Sequence, residues 1–146
     1  MKFIANGFAT DLPDEWQDNS LITLVAPLNN SDFAANIVIT REFISAAMSL
    51  EDYAAEQREA MEMEIPGVEV LDERSTTINH IPAFQRLHRF QIEDQDLQQV
   101  QTFLLQEAEV VVVTCTATTT EFDAHLPTFR RVIDSFRFFD PQSTAL

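Results

Sequence analysis

Apolar and polar positions alternate with a period of two through most of this chain and switch to helical spacing in two places. Residues 2–5 and 8–11 flank Asn6-Gly7, a pair that tolerates positive φ and so predicts a tight two-residue hairpin. Residues 20–26 are apolar and uncharged; Leu21, Thr23 and Val25 fall on one face and Ile22, Leu24 and Ala26 on the other, which predicts a strand covered on both sides. Trp16, in the polar loop before it, is expected to plug one end of the core with its apolar body. Residues 36–42 read as another strand, with Ile37 and Ile39 opposed to Val38 and Thr40. A meander follows, with strands at 69–78, 83–92, 97–105 and 109–118 and short corners at His80-Ile81-Pro82, 93–96 and 106–108. No crossover helix separates these four, so they are expected to pair antiparallel.

The first helical stretch is 49–67. Ser49 is a good N-cap with Asp52 three residues on, and Pro66-Gly67 ends the run. Leu50, Tyr53, Ala54, Met61 and Ile65 recur on one face, and Gln57 falls inside that apolar stripe. Its amide either sits at the stripe's edge, bonded to a backbone group or half in water, or points into a groove that receives something. Gln101 repeats the oddity in the third meander strand, where Gln99, Gln101, Phe103 and Leu105 share a face. The second helix is carried by Leu126, Phe129, Ile133 and Phe136, with Pro127 in its first turn and Arg130 and Arg131 toward water. Residues 136–139 are expected to form a short strand or a packed tail, and 142–146 to fray. The pattern predicts an α+β fold, a curved antiparallel β-sheet with two principal α-helices, in one domain spanning 1–146.

Composition narrows the partners. Hydrophobic residues make up 45% of the chain, twelve of them Phe, which marks it as globular, yet the net charge is -15. That charge repels nucleic acid and anionic membrane surfaces, and no basic run offsets it, so no nucleic acid is expected as a partner. The longest apolar stretch, 110–117, is too short to span a bilayer, and no signal-peptide pattern opens the chain; direct membrane insertion is not expected, and a cytoplasmic location is. The single cysteine, Cys115, sits in that stretch and reads as a small buried hydrophobe.

Catalytic signatures do not emerge. His80, His88 and His125 lack metal-ligand spacing, and no Gly-rich phosphate loop, nucleophile turn or paired-acid constellation stands out from the acidic background. No metal, no cofactor and no enzyme activity is expected.

In their order, LPDEWQDNS at 12–20, NIVITRE at 36–42, the helix segment from Tyr53 to Gln57, IPG at 65–67, the Ile81-Pro82-Ala83 corner, Gln101 followed by Phe103, VVTCTAT at 112–118 and PTFRRVIDSF at 127–136 resemble the DcrB-like family of the PsbP-like fold. Within it they are similar to the Eag-type chaperones of type VI secretion effectors. The resemblance implies a homodimer whose sheet surfaces hold the apolar N-terminal transmembrane helices of a secreted effector that carries a PAAR domain, without catalysis. Groove candidates by position are Leu21, Thr23, Val38, Gln57, Ile65 and Gln101; against an apolar family preference at that position, the Thr23 hydroxyl is a departure. The alternative is a DcrB-like or PsbP-like accessory protein with an unrelated protein partner. A neighbouring gene for a PAAR or Rhs effector with apolar N-terminal segments discriminates the two.

Overall fold

Alternating strands joined by two-residue turns build the sheet of this protein, seen here in a computed structural model that describes residues 2–5, 7–28 and 32–139. After a small hairpin of β1 (Lys2–Ala5) and β2 (Phe8–Asp11) come β3 (Ile22–Val25), β4 (Asn36–Phe43), α1 (Leu50–Glu64), β5 (Glu69–Ile78), β6 (Ile81–Ile92), β7 (Gln95–Gln106), β8 (Glu109–Thr118) and α2 (Phe122–Asp134). The six strands from β3 onward pair antiparallel in the order β3-β4-β8-β7-β6-β5. The α+β expectation holds, and the meander is tighter than its sequence suggests. Asn79 and His80 take positive φ of 50° and 67° and make the first corner alone, so Ile81 and Pro82 belong to β6. Positive φ at Glu93 and Glu107 closes the other two corners just as tightly.

The α1 helix starts where its cap dictates: the Ser49 hydroxyl accepts the Asp52 backbone N–H at 3.0 Å. Ser49→Ala is expected to cost about 1 kcal/mol, read as a fall of about 3–5 °C in Tm by circular dichroism. A smaller fall than 1 °C would show that the cap contributes little. The second helix begins four residues before Leu126, so Pro127 lies in its second turn rather than its first. Phe122, which packs against Phe129 at a ring separation of 5.7 Å, buries enough apolar surface to carry the helix across the proline.

One helix covers each face of the sheet. On one side Phe122, Phe129 and Ile133 of α2 pack with Leu104, Val111, Val113, Cys115 and Ala117, and the packed tail adds Phe136 and Phe138. On the other, Leu50, Tyr53 and Ala54 of α1 pack with Phe103, Val110 and Val112. Neither helix reaches β3. Its two faces were expected to be covered; instead Leu21, Ile22, Leu24 and Val25 are all exposed, because β3 is the edge strand beyond both helices. Trp16 is likewise 62% exposed and plugs nothing. The opposite edge, β5, carries Glu69, Asp72, Glu73 and Arg74 and a register shift between Val70 and Asp72, the usual protection of a free edge. The expected fraying of 142–146 falls outside the described residues.

Candidate functional site

Strand register decides which side chains share a surface. Thr23 on β3 stands opposite Val38 on β4, Val38 opposite Thr114 on β8, Thr114 opposite Gln101 on β7, Gln101 opposite Arg86 on β6, and Arg86 opposite Glu73 on β5. Directly opposed residues point the same way, so one row of side chains crosses all six strands. It lies on the face that α1 packs against, since Phe103 follows Gln101 by two.

Helix α1 covers only the β5–β6 end of that row. Arg86, 1% exposed, donates to the Ala54 carbonyl of α1 at 2.5 Å and to Glu73 at 3.1 and 3.2 Å. Its guanidinium carbon lies 5.5 Å from the ring centroids of both Phe84 and Phe103. Burial pulls its pKa down and the Glu73 charge opposes this, so a residue of such high basicity stays ionised. The other Glu73 oxygen takes Arg58 from α1, which fastens the helix to the sheet a second time. At the N-terminal end the Tyr53 hydroxyl donates to Glu42 of β4 at 2.7 Å; burial first, and then that carboxylate, push the phenol pKa up.

From β7 to β3 the row emerges from under the helix. Gln101, Thr114 and Val38 are half-buried and Thr23 is exposed. Gln57 follows Tyr53 by four residues, which places it on the side of α1 that faces this open part, and Met61 and Ile65 continue the same stripe. Gln57 is half-buried and makes no side-chain hydrogen bond to another described residue. The structure thus brings Thr23, Val38 and Gln101 into one row and Gln57 to its wall. Leu21 precedes β3 on the same alternation, 60% exposed and outside the ladder; Ile65 is the C-cap of α1, with no contact that ties it to the row.

Gln101 differs from its sequence reading. Its cross-strand neighbours are Arg86 and Thr114, and its amide nitrogen donates to the Thr114 hydroxyl at a long 3.4 Å. A second polar rung lies beside it: Gln99 donates to Thr116 at 2.9 Å, and its oxygen, 2.7 Å from His88 Nε2, accepts from that ring. This network assigns His88 the neutral Nε2–H tautomer and leaves a buried Nδ1 without a partner among the described residues. Sequence reasoning named none of Arg86, Thr114 and Thr116, and named His88 and Gln99 without giving either a place at the site. Alternation does place Arg86 and His88 with Phe84 and Phe90, but a charged residue on an alternating strand reads equally well as solvent-facing.

Burial, and secondarily the Arg86 charge, lower the His88 pKa below its ordinary 6.5, while the Gln99 bond opposes them. The folded protein therefore binds this proton less readily than the unfolded chain does. Its contribution is complete above the unfolded pKa and is lost as pH falls toward the folded one. His88→Gln is expected to flatten the decline in urea stability between about pH 7 and about pH 5 relative to wild type. Parallel profiles for the two proteins would rule this out. Cys115 is fully buried in the other face, where desolvation pushes its thiol up to about 12.

Among the described residues no three His, Cys, Asp or Glu side chains come together to hold a metal, and no helix is long and apolar enough to cross a membrane.

A family model described as DcrB matches residues 9–135. Effector EagT6 of Pseudomonas aeruginosa is 26% identical over 125 residues, covering 86% of this chain and 87% of that protein. Among solved structures, PA94 of Pseudomonas aeruginosa, described as a protein of unknown function and putative regulator, superposes with a TM-score of 0.85 at 24% identity over 96% of this chain and 97% of that one. The PsbP of the cyanobacterium Synechocystis, CyanoP, matches with a TM-score of 0.60 at 10% identity over 84% of each chain. These two likenesses are of fold, and they make the architecture PsbP-like.

Proposed function

The chain belongs to the DcrB family, and on that premise we propose that it is a cytoplasmic, non-catalytic chaperone for a type VI secretion effector. It holds the apolar N-terminal helices of an effector with a PAAR domain in the open part of the α1 face until the effector is loaded. The observation that carries this reading is the cross-sheet row, in which Thr23, Val38, Thr114 and Gln101 lie side by side beside a helix wall bearing Gln57, whose side chain bonds no other described residue. Likeness to Effector EagT6 over most of both chains supports an effector-associated role.

Physical chemistry suits the reading. A membrane helix in water gains about 25 cal/mol for each Å² of apolar surface covered, less the cost of ordering the partners. Such helices pack through small and polar residues, and Gln57, Gln101 and Thr114 offer them amide and hydroxyl partners. One exposed row across a sheet covers a helix on one side only, so a second copy of the chain completes the enclosure. The edge strand β3 suits that pairing, with Leu21, Leu24 and Val25 about half or more exposed beside an unpaired backbone. The alternative, a DcrB-like or PsbP-like accessory protein with an unrelated protein partner, shares the family match and the fold but draws nothing from the likeness to Effector EagT6.

Co-expression of an effector's N-terminal segment with wild type is expected to yield soluble complex, and with Gln57→Ala plus Gln101→Ala markedly less. Equal recovery from both proteins would take the amides out of the mechanism, and no complex with wild type would remove the function. Sedimentation of the purified protein is expected at twice the chain mass of 16.6 kDa; a monomer at micromolar concentration would contradict the dimer.

A further inference from the structure

The face opposite the row holds a separate feature, a cavity of about 420 Å³ between α2 and the β5–β7 part of the sheet. Its floor is apolar, with Leu87 and Val100 from the sheet and Leu126 from α2, and two arginines line it, Arg74 from β5 and Arg130 from α2. Of the eight arginines in this acidic chain, Arg41, Arg58, Arg86 and Arg89 pair with carboxylates, and Arg131 and Arg137 lie outside this cavity. Arg74 and Arg130 pair with none among the described residues, although Asp72 and Asp134 line the same cavity. Arg74 is instead held by a neutral partner: its Nε and Nη2 donate to the Gln85 oxygen at 3.1 and 2.9 Å, and the Gln85 amide donates to the fully buried Thr102 hydroxyl at 3.2 Å. This relay orients the guanidinium without neutralising it, and leaves Nη1 free to donate. Asp72, for its part, accepts the Glu73 backbone N–H at 2.9 Å.

We infer that this cavity binds a monocarboxylate carried on a short apolar body, with the carboxylate between Arg74 and Arg130 and the body over Leu87, Val100 and Leu126. The volume lies in the range of small-molecule sites. The guanidinium fork matches a carboxylate, and the two aspartates oppose a second negative charge. A free fatty acid and a peptide carboxy terminus with apolar last residues share this chemistry.

The test is an NMR titration of the ¹⁵N-labelled full chain with sodium octanoate and, separately, with acetyl-Leu-Leu, which distinguish the two sources. Saturable shifts confined to the cavity are expected for at least one of them, with a Kd of about 1 mM or tighter. Acetate, lacking the body, 1-octanol, lacking the charge, and octyl phosphate, carrying more of it, are expected to give no saturable shift there. Arg130→Gln, an exposed substitution that keeps the fold, is expected to weaken binding about tenfold, and Arg74→Gln added to it to abolish binding. No saturable shift with wild type, shifts that map to the α1 face, or unchanged affinity in Arg130→Gln would each overturn the site. The cavity and the row lie on opposite faces, so its failure leaves the chaperone reading standing.

Discussion

Val38→Glu is expected to leave the protein folded and to abolish co-purification of an effector's apolar segment. Val38 sits in the middle of the row between Thr23 and Thr114, half-buried and beyond the edge of α1. In the free protein the new carboxylate reaches water, and the change in strand preference costs about 1 kcal/mol or less. Under a bound apolar helix the same carboxylate loses its water and gains no cation, because Arg86, the row's arginine, already pairs with Glu73 beneath α1. Burying an unpaired charge costs several kcal/mol, and each 1.4 kcal/mol is about tenfold in affinity, so the expected loss exceeds about a hundredfold. The measurement is pull-down from co-expressing cells, with thermal unfolding of the variant alone as the control. Full recovery of complex from a folded Val38→Glu protein would move the binding surface away from this row.

Arg86→Ala is expected to be the most destabilising single change in the protein, at about 3–5 kcal/mol. It removes the donor to the Ala54 carbonyl and the ion pair with Glu73, and it empties the space between Phe84 and Phe103. Arg86→Met is expected to cost less, since an unbranched apolar side chain refills that space while Glu73 keeps Arg58. Urea unfolding gives the magnitudes, and native-state hydrogen exchange gives the location: amides of α1 are expected to lose more protection than those of β7 and β8. A cost below about 1 kcal/mol for Arg86→Ala, or equal loss of protection throughout, would show that this guanidinium does not hold the helix on the sheet.

The elements were legible because their signals are local. Ser49 and Pro66-Gly67 bound α1 to within a residue, and period-two alternation marked the meander strands. Three readings failed because they needed information from distant chain. β3 is as apolar as a covered strand, yet its burial depends on where two helices end. Pro127 suits a first turn, but Phe122 found enough contact with Phe129 and the α2-side core to start the helix earlier. Trp16 has an apolar body, yet it stands 62% exposed and joins neither core cluster of the described residues.

At the candidate site the split is sharper. From the sequence alone came the two amides, Gln57 and Gln101, the face shared by Leu21 and Thr23, and an acidity that argues against nucleic acid. Only the tertiary structure aligned Thr23, Val38, Thr114 and Gln101, because cross-strand register is set by turns and pairing between segments far apart in the chain. The same register turned Arg86 inward. In the sequence it is one more charge on an alternating strand; in the fold it is the buried cation that fixes the helix wall beside the row, since only there do the Ala54 carbonyl, Glu73 and two aromatic rings meet to replace its water.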